Sequence, residues 1–392
     1  MTSLYLKRKK EESLLRRHPW IFSGAIHHTE GEPEEGDLVR VFTSDGDFIA
    51  LGHWQIGSIA VRVLTFENET IDEAFWQRRL FSAWQLRRAI GVVGPHNSTY
   101  RLVHGEGDNL PGLVIDIYGD TAVVQAHSVG MHRVRKQIAE ALKGVMGDDL
   151  NHVYYKSETT LPYKASLGQE NGFLLGGSPN DVAVENGLKF HIDWLRGQKT
   201  GFFVDQRDNR TMLEHYSKGR RVLNMFCYTG GFSVYAMRGG AQLVHSVDSS
   251  AKAVELASAN VRLNFPDDDR HQAYAEDAFR FLAQMAPDAY DLIILDPPAF
   301  AKHKDALHNA LKGYTRLNAA AFQKIAPGGI LFTFSCSQAV NKDQFRLAVF
   351  TAAAQSGRTV RILHQLHQPA DHPINIYHPE GEYLKGLILE VE

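Results

Sequence analysis

The 392-residue chain has only two cysteines, Cys227 and Cys336. That scarcity excludes a disulfide-stapled scaffold and a four-thiolate zinc site. Long hydrophobic runs are missing too: no apolar stretch approaches the ~18 residues that a membrane-spanning helix needs. Near the start, Lys7-Arg8-Lys9-Lys10-Glu11-Glu12 runs into Ser13-Leu14-Leu15 without the apolar core of a secretory signal. The expectation is therefore a cytoplasmic chain with no membrane contact. Charge of one sign is not in excess, since 42 basic and 45 acidic residues leave a formal net charge of −3. That balance gives no general pull toward nucleic acid, so such a partner would have to be met by a local patch. Repeats of fixed period and low-complexity tracts are absent as well.

What is present is ample core material. Hydrophobic residues make up 44% and aromatics 10% of the chain, against 22% charged, which argues against disorder. At roughly 150 residues per domain the length suggests two or three domains. From Leu4 to about Phe66 the apolar residues fall in short runs, Asp37–Phe42, Phe48–Gly52 and Ile59–Leu64, broken by Gly, Asp and Pro. Asp45-Gly46 reads as a hairpin turn, and the module, residues 1–70, reads as a small β-barrel. A helix is expected from about Ile71 to Ile90. Strands at Leu113–Tyr118 and Thr121–Ala126 and a helix near Val134–Val145 then make a small α+β part over residues 71–180. From 181 to 392, strands and helices alternate at βαβ spacing, which implies a doubly wound α/β domain around a parallel sheet. Its expected strands are Val222–Phe226, Leu243–Asp248, Asp291–Asp296, Gly329–Ser335 and Leu387–Val391.

The first of these strands ends in Cys227-Tyr-Thr-Gly-Gly-Phe-Ser233, a glycine turn before a helix, where a ligand can approach the backbone. The second ends in Asp248, 18 residues after Gly230, close to the ~20 at which an acidic side chain meets a ribose diol. The turn is not G-x-G-x-x-G, which disfavours a dinucleotide. Gln198-Lys199-Thr200 lacks the glycine and the spacing of a phosphate loop. Tyr290-Asp-Leu-Ile-Ile-Leu-Asp-Pro-Pro-Ala-Phe300 is more specific. It delivers Asp296 to the carboxyl end of a strand, where open α/β sheets place their ligands, and two prolines stiffen the loop that follows. The plain alternative is a strand terminator, since prolines stop strands and aspartates cap helices.

These residues carry a resemblance. Phe226-x-Tyr-Thr-Gly-Gly with Asp248, Glu276-Asp277-Ala278, Asp296-Pro-Pro-Ala-Phe300 and Pro327-Gly-Gly329 with Ser335-Cys336-Ser337 resemble a class I S-adenosylmethionine-dependent methyltransferase. The closer likeness is to the ribosomal RNA large subunit methyltransferase I family, cytosine C5 methyltransferases with an N-terminal RNA-binding PUA barrel. It extends to Gln198–Arg207, Arg101–Gly107, Leu110–Leu113 and His18-Pro-Trp-Ile-Phe-Ser-Gly24. The resemblance implies that the turn from Phe226 to Gly231, with Phe226, Tyr228, Thr229 and Gly230 as contacts, wraps the methionine part of the cofactor. It gives Asp248 the ribose and Asp277 the adenine amino group, and it adds Ser249, Ala278, Phe202, Asp205 and Asp296 to the cofactor contacts. Asp277 could equally cap the helix that starts at Ala278.

Cytosine C5 is a poor nucleophile. A thiolate added to C6 makes C5 reactive, splitting one hard step into easier ones. Cys227 lies in the cofactor turn, where packing suffices; Cys336 stands at the end of the strand expected beside Asp296. The resemblance points to Cys336 as nucleophile and Asp296 as the donor at N3, a role that requires a raised carboxyl pKa. The base that takes the C5 proton is not assigned. For RNA, the patch of Lys7, Arg8 and Lys10 with Trp20, and Phe300 and Lys302 after the Asp-Pro-Pro loop, are the candidate contacts; the alternative is solvated surface charge. Four histidines near the C-terminus, His364, His367, His372 and His378, lack metal-ligand spacing, so no metal is expected. The expected partner is large-subunit (23S) ribosomal RNA, with a homodimer left open beside the monomer. Methylation of another RNA base, such as guanine N7, and a non-catalytic assembly factor are the competing readings.

Overall fold

In the computed structural model, which describes residues 1–162, 171–177, 180–301 and 303–392, the short apolar runs up to Thr65 form one six-stranded sheet. Its order is Trp20–Phe22, Ile59–Thr65, Phe48–Trp54, Leu38–Phe42, Thr2–Leu6, Ile26–Glu30. Alternation along the strands turns Leu4, Leu6, Val39, Val41, Val61 and Val63 into a single core with Leu14 and Ile21. Asp45-Gly46 does form the turn between Leu38–Phe42 and Phe48–Trp54, with Gly46 at φ +92°.

The helix expected over 71–90 is Glu73–Ala89, started by Asp72, whose carboxylate accepts the Phe75 N–H at 3.0 Å. It packs with the helix Arg135–Met146 over a five-stranded sheet ordered Gly172–Leu175, His152–Tyr155, Thr121–Ala126, Leu113–Tyr118, Thr99–His104. Phe75, Trp76, Leu80, Ile138 and Leu142 supply the helix side of that core.

The chain packs as two compact units. The first holds both sheets above (Met1–Gly187) and takes in two later segments, Ile192–Val204 and Ala370–Gly381. Buried polar contacts fasten those segments. The Asp116 carboxylate pairs with the cross-strand Arg101 guanidinium at 2.8 and 2.9 Å and accepts the Thr200 hydroxyl at 2.7 Å. Thr200 is thus an anchor of its loop. Arg87, fully buried, forms a two-pronged pair with Asp108 and donates to the Asp371 carbonyl at 2.7 Å. A Cβ on Gly107 would sit 1.9 Å from the Pro373 carbonyl oxygen, so the close passage of that segment requires glycine there.

The second unit, Leu188–His191, Asp205–Pro369 and Glu382–Glu392, is built on a seven-stranded sheet. Its strands are β1 (Arg221–Met225), β2 (Leu243–Asp248), β3 (His271–Ala275), β4 (Leu292–Leu295), β5 (Gly329–Ser335), β6 (Val360–His367) and β7 (Lys385–Val391). They lie in the order β3-β2-β1-β4-β5-β7-β6. β1 to β5 are parallel, as expected, with helices α1 (Gly231–Arg238), α2 (Ala251–Asn264), α3 (Ala278–Gln284) and α4 (Leu307–Lys324) between them and α5 (Lys342–Ser356) after β5. β7 departs from expectation: it runs antiparallel to both β5 and β6. Strand direction depends on the connection and not on the apolar run itself; here the chain leaves β6 at His367 and re-enters the sheet at Lys385, running beside β6 in the opposite sense. Among the described residues, no helix is long and apolar enough to cross a membrane.

Candidate active site

β1 is an interior strand, and its end pairs with Val247 on one side and Leu295 on the other. Both flanking strands therefore deliver their next residues, Asp248 and Asp296, to the same edge of the sheet as the turn after Met225. That turn is strained. Phe226, Tyr228 and Gly230 all have positive φ, at 59°, 43° and 75°, and bulky aromatic residues seldom adopt this conformation. Such strain persists only where surroundings over-determine it. Here the Tyr228 N–H donates to Asp248 Oδ2 at 3.1 Å, the Asn260 amide donates to the Thr229 carbonyl at 2.8 Å, and the Gly230 N–H donates to the Cys227 carbonyl at 2.7 Å. A Cβ on Gly230 would lie 2.8 Å from Ala257 Cβ, so this glycine also makes room for α2.

Asp248 accepts the Ser250 N–H on its other oxygen at 2.9 Å. A carboxylate offers about four acceptor positions, so both oxygens retain capacity for a ribose diol. Ser249 beside it is exposed. Asp277 caps α3, accepting the Arg280 N–H on Oδ1 at 3.0 Å; its side chain is exposed, while Ala278 is buried. The capping role is real, and the second oxygen is left for another donor. Asp205, buried, accepts the Tyr383 hydroxyl at 2.6 Å. Phe202 is counted with the first unit, where it is buried and its carbonyl accepts the Tyr118 hydroxyl at 3.2 Å. The strained turn, Asp248 and Asp277 form a donor and acceptor set that fits the methionine, ribose and adenine parts of S-adenosylmethionine.

The two cysteines differ. Cys227 is 6% exposed, and burial, reinforced by Asp248, pushes its thiol far up. Cys336 is half-buried in the residue position after β5, the strand paired with β4, which carries Asp296. Tyr314 on α4 ties this corner together. Its phenol accepts the Ser335 hydroxyl at 2.9 Å, and burial pushes it up to about 12, with Cys336 and Asp296 adding to the rise. The Ser337 hydroxyl donates to the Ala301 carbonyl at 2.5 Å, fastening the turn after Cys336 to the loop after Asp296. Neither Tyr314 nor Ser337 as a tether follows from motif reading. Tyr314 lies one helix beyond Asp296, and only the sheet order brings it back.

Two expected RNA-facing rings are already engaged. Phe300 packs on Tyr314, with ring centroids 4.7 Å apart, and against Gly313, where a Cβ would lie 2.9 Å away. Trp20 donates its indole N–H to Glu106 at 2.7 Å, lies 4.3 Å from the His378 ring and is covered by the Arg62 guanidinium. Phe22, two residues on, is the exposed aromatic at 48% and lines a groove with Lys10, Ser13, Leu14 and Gly24. Lys7 donates to the Gly24 carbonyl at 3.0 Å, and Arg8 and Lys10 are exposed. Lys302 lies outside the described residues. The C-terminal histidines go separate ways: His364 meets Tyr216, His367 the Gln368 carbonyl, His372 Asp371, and His378 Trp20.

Comparison with known proteins bears on the family and the fold. Residues 170–383 match the family model of S-adenosylmethionine-dependent methyltransferases, and residues 4–66 match that of a PUA-like domain. A protein of Aeromonas hydrophila named ribosomal RNA large subunit methyltransferase I is 43% identical over 398 residues, covering 99% of this chain and 98% of that one. Its namesake in Tolumonas auensis is 43% identical and covers 99% of each chain. A SAM-dependent methyltransferase structure from Streptococcus mutans superposes with a TM-score of 0.84 at 21% identity, over 100% of both chains. A methyltransferase structure complexed with SAH reaches 0.85 at 22% identity, again over both whole chains. At those identities the structural likeness speaks for the fold.

Proposed function

The chain belongs to the ribosomal RNA large subunit methyltransferase I family, and from that premise we propose that it methylates C5 of a cytosine in large-subunit ribosomal RNA through a Cys336–C6 adduct. Its cofactor is S-adenosylmethionine. We assign the cofactor's methionine end to the turn from Phe226 to Gly230, its ribose to Asp248 and its adenine to Asp277, with Ser249, Ala278 and Asp205 around them.

The observation that carries the cytosine reading is the pairing of β4 with β5. It delivers a carboxylate and a half-exposed thiol to neighbouring strand ends, next to the cofactor turn. When bound, S-adenosylmethionine supplies an electrophilic methyl group. Cys336, as thiolate, forms a bond to C6 while Asp296 gives a proton or hydrogen bond at N3, so the displaced electron pair comes to rest as an enamine with C5 nucleophilic. Tyr314 and Ser337 keep the thiol and the Asp296 loop in fixed relation. Once C5 is methylated, loss of its proton restores the C5–C6 double bond and expels the Cys336 sulfur, and the proton lent to N3 returns to Asp296.

RNA is proposed to meet the first unit along Lys7, Arg8 and Lys10, with Phe22 in place of Trp20 as the exposed ring. A target cytosine must leave its stack to reach such a site, and flanking phosphate contacts offset that cost. We read residues 1–70 as the RNA-binding barrel, 71–180 as the central part and 181–392 as the methyltransferase.

The test is covalent trapping. Large-subunit ribosomal RNA transcribed with 5-fluorocytidine cannot lose a proton from C5, so the adduct should persist and map to the Cys336 peptide by mass spectrometry. Methylation of normal RNA without any such adduct would overturn the thiolate mechanism.

A further inference from the structure

Behind Cys336 lies a buried lysine that the mechanism above does not use. Lys385 opens β7, is 6% exposed, and stands directly across the sheet from Ser335 in the antiparallel pairing of β5 with β7. Its ammonium donates to the carbonyls of Ser337 at 2.5 Å and Val340 at 2.6 Å. Cys336 is therefore bracketed: the residue before it is the strand partner of Lys385, and the residue after it accepts a Lys385 hydrogen bond. Both carbonyl acceptors are neutral. A buried ammonium without an opposite charge is costly, and the nearest carboxylate along the chain, Glu382, is paired with Lys342.

We propose that Lys385 is a positioning residue that supplies the counter-charge holding Cys336 as a thiolate before cytosine arrives. The inference rests on the reading of Cys336 as nucleophile and deepens it. Ionisation of the thiol sends its proton to solvent and leaves the electron pair on Sγ; Lys385 keeps its own proton, and nothing is oxidised. Two hydrogen bonds to the turn fix where the charge sits, so the thiolate meets an already placed ammonium. Burial pulls Lys385 down to about 8, and Cys336 is the first influence acting in the opposite direction, ahead of Glu382. The other ionisable groups around this corner are Tyr314 on α4, Asp296 after β4, Lys342 at the start of α5 and His367, the β6 partner of Lys385.

The experiment follows the pH dependence of Cys336 alkylation by iodoacetamide in the full chain, read on the Cys336 peptide by mass spectrometry. In the wild-type protein the half-maximal rate should fall below about pH 7.5, the range of thiols beside a cation. Lys385→Met should raise that midpoint by about one pH unit or more, slowing alkylation at pH 7 several-fold, and Lys385→Arg should restore the low midpoint. A lysine that merely braced the turn would change the melting temperature and leave the midpoint in place, which overturns the proposal. So does a wild-type midpoint at the ordinary ~8.5, a result that needs no variant to fold. The 5-fluorocytidine adduct separates the two layers. An adduct with an unmoved midpoint defeats the lysine alone, whereas no adduct removes the nucleophile reading and the proposal with it.

Discussion

Replacing Gly230 with alanine tests whether the strained turn is what prepares the cofactor site. The glycine sits at φ +75°, where a side chain costs about 1–2 kcal/mol. Its new Cβ would lie 2.8 Å from Ala257 Cβ and 2.9 Å from Ala257 Cα, against the ~3.5–4.0 Å of ordinary carbon contact. The obstacle is the body of α2 and cannot rotate away, so overpacking adds about 1–3 kcal/mol. Loss of freedom in the unfolded chain returns roughly 0.4–1 kcal/mol. The balance is a destabilisation of roughly 1–5 kcal/mol, placed where Tyr228 N–H meets Asp248. Gly231→Ala is the matched control. Its φ is not in the left-handed region, its Cβ would meet the Arg210 side chain at 3.0 Å and not the backbone of a neighbouring helix, and alanine favours the helix it enters. Hydrogen exchange should show β1 and α1 opening more readily in Gly230→Ala alone. Calorimetric titration with S-adenosylmethionine should show at least a tenfold weaker affinity, about 1.4 kcal/mol. If the two variants behave alike in both measurements, the turn is not a shaped cradle and the argument fails.

The remaining predictions concern the thiol, the buried ion pair and acid stability. Cys336→Ser should abolish methyl transfer while calorimetry finds cofactor affinity within a few-fold of wild type, and Cys227→Ala should retain turnover; an active Cys336→Ser enzyme would sink the covalent route. Arg87→Met leaves Asp108 with the His104 N–H, at 2.6 Å, as its remaining hydrogen-bond donor in that pair's setting, and should cost the first unit about 3–5 kcal/mol in urea unfolding. The double variant with Asp108→Asn should recover part of that loss; a cost below about 1 kcal/mol for Arg87→Met would mean that the pair behaves like a surface bridge. Burial holds His53 in the first unit and His271 in the second down to about 4. Both therefore bind protons more readily when unfolded. Their contribution is complete above the ordinary ~6.5 and is lost as pH falls toward 4, with a slope of at most about 1.4 kcal/mol per pH unit for each. Urea midpoints that stay level between pH 6.5 and 4 would contradict this sign.

The parts of the fold that were legible in sequence are those where burial writes a continuous apolar run. Gly329–Ser335, buried at every position, coincides with β5 to the residue, because strands deep in a sheet covered on both faces need both faces apolar; Leu243–Asp248 coincides with β2 although His245 and Ser246 interrupt its apolar pattern. β3 and β6 escaped notice for the converse reason. They are the two edges of the sheet, and His271-Gln-Ala-Tyr-Ala275 and the mostly exposed Val360–His367 carry no such run. The antiparallel course of β7 was hidden because direction is a property of the connection. Motifs placed Asp248, Asp296 and Cys336 at strand ends, yet gave no sign that Phe226 and Tyr228 would take positive φ, a conformation expected of glycine. The partners that engage Trp20, Glu106 and His378, are not legible in sequence because they are far away in the chain and adjacent only after folding.

The same logic separates the two cysteines, which no composition argument can do. Each follows the end of a strand in one sheet, and each is at least half-buried. What differs is the charge that the fold sets beside it. β2 brings Asp248 to Cys227, and a carboxylate next to a buried sulfur opposes ionisation, so this thiol stays protonated and packs. β7, by turning antiparallel, brings Lys385 to the turn that holds Cys336, and an ammonium there favours the ionised sulfur. Had β7 run parallel to β5, its first residue would lie at the opposite edge of the sheet, and Cys336 would have no such neighbour. The one strand whose direction departs from the rest is therefore the one that places a cation behind the proposed nucleophile.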